Sequence, residues 1–470
     1  MGLADFLGEK ILQNFKYEPT ECQKIFFDKI SRFLSGYGDG DIFILNGYAG
    51  TGKTEAIGAV VRTLKEFNMK FKLMAPTGRA AKVLSGYTSH RTSTIHKQIY
   101  RQKSMDNGVG QFSLDFNRDN DTVYIVDEAS LITIDSSSSS FGSGNLLEDL
   151  ISYIRNGSDN KLILIGDNAQ LPPISLDRSP TLDVPYMEGY GPVEWVSMKS
   201  VVRQELESGI LYNATLLRKA IALEETGSFP KLQVKGYNDV ESINGGELIE
   251  ALEDAVSRYG LEETIVLCRS NKRANRYNEG IRAKILSREE RLVRGDRLMV
   301  VKNCYQFLED VKEIDFIANG DIAELIKIGN YEERYGLHFA QARLSFPDYD
   351  DIEISAKIIL DTLDSESASL SSEQQRALYE GVYTDYEHIK TKKKRNESVR
   401  EDPYYNALQI KYSSAITCHK SQGGQWKCVF IDNAFWQDEI SLDELKWLYT
   451  AITRAVEKVY FVSFNKLFFE

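Results

Sequence analysis

Gly47-Tyr48-Ala49-Gly50-Thr51-Gly52-Lys53-Thr54 has the residue types and spacing of a loop that holds a phosphate chain. Glycines let the backbone curl so that its N–H groups point inward. A helix N-terminus adds partial positive charge. Lys53 then reaches the β and γ phosphates, and the Thr54 hydroxyl binds Mg²⁺. Asp127 and Glu128 supply a second element. In an ATPase one carboxylate, here Asp127, holds Mg²⁺ and the next polarises the attacking water. Gln170 is placed to sense the γ-phosphate. Arg203 (Val201-Val202-Arg203-Gln204) and Arg454 (Tyr449-Thr450-Ala451-Ile452-Thr453-Arg454) offer cations for the charge that builds during phosphoryl transfer. The chemistry implied is hydrolysis of ATP with Mg²⁺.

These residues need a frame. The apolar run Asp41 to Asn46 reads as a buried strand before the glycine-rich turn, and Ile57, Val60, Val61, Leu64 and Phe67 recur at helical spacing behind it. Strands at Phe71–Ala75, Thr122–Val126 and Lys161–Ile165 alternate with helical patterns, which predicts a parallel sheet with helices on both faces. Asp127-Glu128 and the Gly166-to-Gln170 segment then end strands at one sheet edge. Upstream, Ile25, Phe26, Ile30 and Phe33 predict one apolar helix face. A second set of buried strands lies at Thr264–Cys268, Lys427–Ile431 and Val459–Ser463, without a phosphate loop of its own.

Two inserts stand apart. Gln111 to Phe116 alternates with period two behind an Asp106-Asn107-Gly108 turn signal, so 97–121 is read as a projecting β-hairpin. Such a hairpin must brace on another element, and the helical segment 365–406 is the expected one. Short β-like runs over 296–357 with an Asn319-Gly320 turn suggest a small barrel. Residues 365–406 read as polar, aromatic-dotted helices carrying the basic run Lys390 to Arg395. The fold expected is α/β, with two parallel-sheet lobes. The first lobe takes 1–96 and 122–203 around the hairpin, and the second takes 204–295 and 408–470 around a barrel-plus-helical insert over 296–407.

Composition sets bounds. A chain of 470 residues that is 42% apolar has ample core-forming material. No run of 18 apolar residues exists, so no membrane span is expected. The N-terminal stretch lacks the basic-then-apolar order of a secretion signal. The five scattered cysteines form no C-x-x-C and fit reduced thiols of a cytoplasmic protein without a zinc site. With a formal net charge of −12, any nucleic-acid contact must come from a local groove rather than an overall field.

The ordered set G-Y-A-G-T-G-K-T, A-P-T-G-R-A-A, T-I-H (94–96), D-E-A-S, G-D-N-A-Q-L-P-P, V-V-R-Q, T-C-H-K-S-Q-G-G-Q (417–425) and Y-T-A-I-T-R-A resembles a superfamily 1 helicase. Order and spacing most resemble group B, the RecD-like, Dda-like and Pif1-like branch. The barrel and helical insert are similar to the barrel and tower of Dda-like phage helicases. The resemblance implies two RecA-like lobes with ATP in the cleft, an SH3-like barrel, and 5′→3′ travel of a monomer along single-stranded DNA to a junction with duplex. It implies adenine recognition by Gln23 and nucleotide contacts from Gly47, Ala49, Gly50, Thr51, Gly52, Lys53, Thr54 and Gly424. It further implies strand contacts from Pro76, Thr77, His96, Thr417, His419 and Lys420.

Two features depart from that pattern. Gln425 stands where related helicases often carry an acidic residue against the ribose, and the Ser-rich loop after Asp127-Glu128 is long. An ATP-driven 5′→3′ DNA helicase is the expected function. An RNA helicase of the same superfamily is the nearest alternative, since nothing reads the 2′-hydroxyl. An ATP-gated clamp without unwinding, in a repair or defence complex, is the second, and the hairpin, a candidate wedge, argues against it.

Overall fold

The computed structural model describes residues 2–38, 40–102, 112–134, 142–174, 176–200, 207–304, 306–308, 316–435, 437 and 439–470. Arg203, the Asp106-Asn107-Gly108 turn and most of the Ser-rich loop lie outside them.

The strands of the first lobe are β1 (Ile42–Gly47), β2 (Lys70–Ala75), β3 (Thr92–Thr94), β4 (Tyr100–Gln102), β5 (Phe112–Leu114), β6 (Thr122–Val126), β7 (Lys161–Gly166) and β8 (Val193–Met198). Six of them form a parallel sheet in the order β3-β2-β6-β7-β1-β8. Strand β1 is buried throughout because both faces of the sheet are covered. Phe43 and Leu45 pack against the helices Leu3–Asn14, Glu21–Leu34 and Lys53–Glu66 on one side, and Ile42 and Ile44 join the helix Leu146–Arg155 on the other. In the helix Glu21–Leu34 the buried face is Phe26, Phe27, Ile30 and Phe33; Ile25, expected on that face, is exposed.

The order β6-β7-β1 is what places the chemistry. It sets the carboxyl ends of three neighbouring strands side by side, and these are followed by Asp127, Asp167 and the glycine-rich turn. The edge beyond the carboxyl ends is where α/β sheets hold ligands.

In the second lobe, β9 (Val240–Ile243) and β10 (Thr264–Cys268) precede a closed five-stranded barrel. The barrel comprises β11 (Arg297–Val300), β12 (Ile322–Arg334), β13 (Leu337–Phe346), β14 (Ile352–Ile359) and β15 (Leu408–Tyr412). Strand β15, which closes it, comes after the helices Ser372–Asp385 and Lys392–Glu401 and pairs with both β11 and β14. Those helices lay Leu378, Val382 and Val399 on Leu337, Phe339 and Ile359 of the barrel wall. The chain then returns to β16 (Ala415–Thr417), β17 (Trp426–Asp432) and β18 (Ala455–Val462), giving a parallel sheet in the order β16-β10-β17-β18-β9.

The hairpin stem is present: Tyr100 pairs with Leu114 and Gln102 with Phe112. Its described part braces differently from the expectation. Phe112 packs at 6.1 Å on Phe316, from the loop between β11 and β12, and the Tyr100 hydroxyl donates to Asp149 at 2.6 Å. Among the described residues, the helical insert packs instead on the barrel wall.

Candidate nucleotide site and nucleic-acid interface

The helix Lys53–Glu66 starts directly from the glycine-rich turn, where Gly50 and Gly52 adopt φ of 71° and 73°. Only glycine takes that left-handed backbone freely. Gly47 is required for a different reason. A Cβ there would lie 2.5 Å from Cγ of Lys53, whose side chain crosses it to donate to the carbonyl oxygens of Gly47 and, at 3.1 Å, Tyr48. The Thr51 hydroxyl closes the turn onto Tyr48 O at 2.7 Å, and Thr54 follows Lys53 on the first helical turn.

Gln23 lies beneath this loop. Its Oε1 accepts from Thr20 N–H at 2.8 Å in a capping box, and its Nε2 donates to Thr51 O at 3.0 Å. The residue is 1% exposed, so its amide supports the loop from below.

Asp127 ends β6 and its Oδ1 accepts from Glu128 N–H at 2.8 Å. Burial, and then the neighbouring Glu128, push its carboxyl up to about 6, partly opposed by that hydrogen bond and by Lys53. Glu128 itself has φ of 51°, a strained setting for a side-chain-bearing residue. Gln170 is buried, and its Oε1 has no hydrogen-bond partner among the described residues.

The two lobes meet at the loop. From the helix Leu442–Ile452, the Tyr449 hydroxyl donates to Asp167 Oδ2 at 2.6 Å and accepts from Ala49 N–H at 3.0 Å. Beside it, Thr450 Oγ1 accepts from Leu171 N–H at 2.8 Å, and Gln422 Nε2 donates to Leu171 O at 2.6 Å. Arg454 is 2% exposed and donates to Thr450 O, Gly424 O and Thr453 Oγ1 at 3.1–3.3 Å. Those acceptors are all neutral, so among the described residues its buried charge has no counter-ion, an arrangement that an anion would relieve. Gly424 faces Trp426 and Arg79, and Arg79 lies 4.0 Å over the Trp426 ring and donates to Gln425 O at 2.9 Å.

The uncompensated Arg454 and the lysine crossing Gly47 fit a nucleotide polyphosphate, and the orphaned Gln170 acceptor fits a donor such as a water beside it. Thr54 and Asp127 are the hard oxygen donors that suit Mg²⁺.

The residues expected to touch a strand fall in two groups. Pro76, Thr77 and His96 line a cavity of about 110 Å³ whose far wall is Phe316, Asp321 and Tyr349, from the barrel side. Burial pushes the His96 imidazole down to about 4, so it is a neutral ring at neutral pH. Asp321 accepts from Tyr349 O–H at 3.0 Å and Ala318 N–H at 2.7 Å. Tyr349 packs so closely on Gly78 that a Cβ would lie 2.6 Å from its hydroxyl. Thr417 and Lys420 line a second, smaller cavity with Lys411, while His419 is exposed. Burial, then Lys411, push the Lys420 ammonium down to about 8. The groups adjoin: a Cβ on Gly423 would lie 3.3 Å from Thr77 Oγ1.

Sequence reasoning missed Tyr449 with Asp167 and the barrel side of the first cavity. Tyr449 lies inside a quoted motif, but its partners come from the other lobe. Phe316 and Tyr349 carry no motif at all.

Residues 37–227 match the family model of an AAA domain, and 412–462 match that of a UvrD-like helicase C-terminal domain. The uncharacterized protein MJ1519 of Methanocaldococcus jannaschii is 24% identical over 471 residues, covering 89% of this chain and 36% of that protein. The ATP-dependent RecD2 DNA helicase of Deinococcus radiodurans is 26% identical over 159 residues, covering 33% of this chain and 19% of that one. The chain thus spans about a third or less of the length of these relatives. Among solved structures, the Pif1 helicase from Bacteroides in complex with ADP-AlF3 and ssDNA gives a TM-score of 0.48 at 14% identity, covering 97% of this chain and 95% of that one. Pif1 helicase from Candida albicans gives 0.40 at 16%, covering 96% of each.

Proposed function

We propose that the chain is a superfamily 1 group B helicase of the Pif1-like and RecD-like branch, an ATP-driven motor moving 5′→3′ on single-stranded DNA and opening duplex ahead of it. The observation that carries this reading is the Tyr449 hydroxyl, a second-lobe group bonded to both Ala49 N–H and Asp167 of the first. A cleft closed by such bonds changes its balance of states when a nucleotide adds or displaces contacts.

Lys53 and the loop N–H groups hold the polyphosphate, Gln170 reads its terminal group, and Glu128 accepts the proton of the attacking water. Mg²⁺, when bound through Thr54 and Asp127, neutralises phosphate oxygens as a Lewis acid. Arg454, and Arg203 beyond the described residues, stabilise the charge that develops on the transferred phosphoryl group. One strand runs over Pro76, Thr77 and His96 of the first lobe and Thr417, His419 and Lys420 of the second. Opening and closing then moves one grip past the other.

Strand displacement from 5′-tailed and 3′-tailed duplexes tests the polarity. Only the 5′-tailed substrate should be unwound, and efficient unwinding of the 3′-tailed one alone would reverse the assignment. An ATPase stimulated by RNA and not DNA would change the substrate.

A pH dependence follows from Lys420. Its lowered value means the charged form predominates below about pH 8 and is lost as pH rises through it. Affinity for oligo-dT should therefore fall a few-fold between pH 7 and 9, and Lys420→Arg should flatten that fall. Lys420→Ala should also reduce the slope of log K against log salt by about 0.7, as one lost phosphate contact predicts. An unchanged slope would remove Lys420 from the strand path.

A further inference from the structure

Arg218 stands on the second-lobe helix Gly209–Leu223, beyond every motif quoted above. Its guanidinium lies 4.6 Å over the ring of Tyr48, the second residue of the phosphate loop. A second-lobe cation therefore reaches the loop from across the cleft, on the edge where Ala49 N–H meets Tyr449. Among the described residues its buried Nη1 has no hydrogen-bond partner and no ion pair claims the side chain. Its charge also acts on both neighbouring phenols, opposing the upward push that burial and Asp167 give Tyr48 and Tyr449.

A buried N–H of a cation without an acceptor is costly, and such a group in a cleft calls for an explanation. Stacking on Tyr48 accounts for the face of the guanidinium but not for its edge. Arg454 makes the contrast, since each of its three guanidinium nitrogens already donates to an oxygen of its own lobe. The ligand chemistry that suits a free guanidinium edge beside a phosphate loop is a phosphate oxygen.

We propose that Arg218 binds the terminal phosphate of a nucleoside triphosphate held in the loop, so that the second lobe distinguishes triphosphate from diphosphate. This rests on the reading of 47–54 as the ATP site. Tyr48 holds the guanidinium plane in place, leaving the Nη1 edge to the ligand.

The test compares Kd values of the full chain for a non-hydrolysable ATP analogue and for ADP, both with Mg²⁺. R218M keeps an apolar stem over Tyr48 while removing the charge. It should weaken triphosphate binding about tenfold or more and leave ADP within about twofold, as expected for one charged hydrogen bond to the terminal group. R218K should restore part of the preference. R218Q, measured in the same way, covers the case in which R218M does not fold. Equal weakening of both nucleotides, or no change in either, overturns the proposal and leaves Arg218 a packing residue. Wild-type binding of both nucleotides by K53A would instead dismiss the loop as the site, and a selective defect in R218M with an intact K53A response separates the two failures.

Discussion

ATP turnover by the Lys53→Ala protein is expected to fall about 10²-fold or more, the scale seen when one preorganised donor to developing charge is removed. The lysine side chain crosses Gly47 and is held there by two loop carbonyls, so it is already confined to the mouth of the loop. Glu128→Gln should fail differently. It removes the acceptor for the water proton but leaves every loop contact, so the nucleotide should bind with near wild-type affinity and remain uncleaved. Measuring kcat together with Kd for ATP separates the two variants. Turnover near wild type in both would sink the assigned site, and loss of binding in Glu128→Gln would make that residue a ground-state ligand.

A larger separation of activities is expected at the hairpin. Its stem is held on Phe316 and Asp149, both far from the phosphate loop in sequence and outside the cleft chemistry. Residues 103–111, which connect its two strands, lie outside the described residues. Replacing them with a short Gly-Ser turn leaves β4, β5 and all of the ATP-site residues in place. DNA-stimulated ATP hydrolysis should stay within about twofold. Duplex unwinding per ATP should fall about tenfold or more, because the replacement removes Met105 and Val109, the apolar side chains of the segment proposed to part the strands. If unwinding per ATP is unchanged, the wedge lies elsewhere.

Both predictions join local signals to distant ones, and the two kinds were not equally legible. The phosphate loop was readable because its chemistry is local: glycines at left-handed φ, a lysine and a threonine must follow one another in fixed order. The parallel strands were readable because burial on both faces gives short unbroken apolar runs, and the hairpin stem because alternation is a period-two signal. Asp127 and Gln170 could be named because each follows such a run, Asp127 directly and Gln170 four residues beyond Gly166.

Three-dimensional packing decided the rest. The order β6-β7-β1 follows from crossover connections and not from any residue pattern, yet it alone brings Asp127, Asp167 and the loop to one edge. The barrel is closed by Leu408–Tyr412, which pairs with both β11 and β14, and its pairing with β11 joins segments about 110 residues apart. The hairpin stem rests on Phe316 because that ring and Phe112 are both buried where the first lobe meets the barrel loop, a coincidence of surfaces that no spacing encodes. Arg454 reads in sequence as a cation for phosphoryl transfer, and in the fold its hydrogen bonds to Thr450, Gly424 and Thr453 hold it in its own lobe. Tyr449 and Arg218 reach the loop only because the second lobe folds over it. A sequence fixes what each residue is able to do; contacts between segments hundreds of residues apart are set by the sum of many apolar burials, and they appear only when the chain is closed.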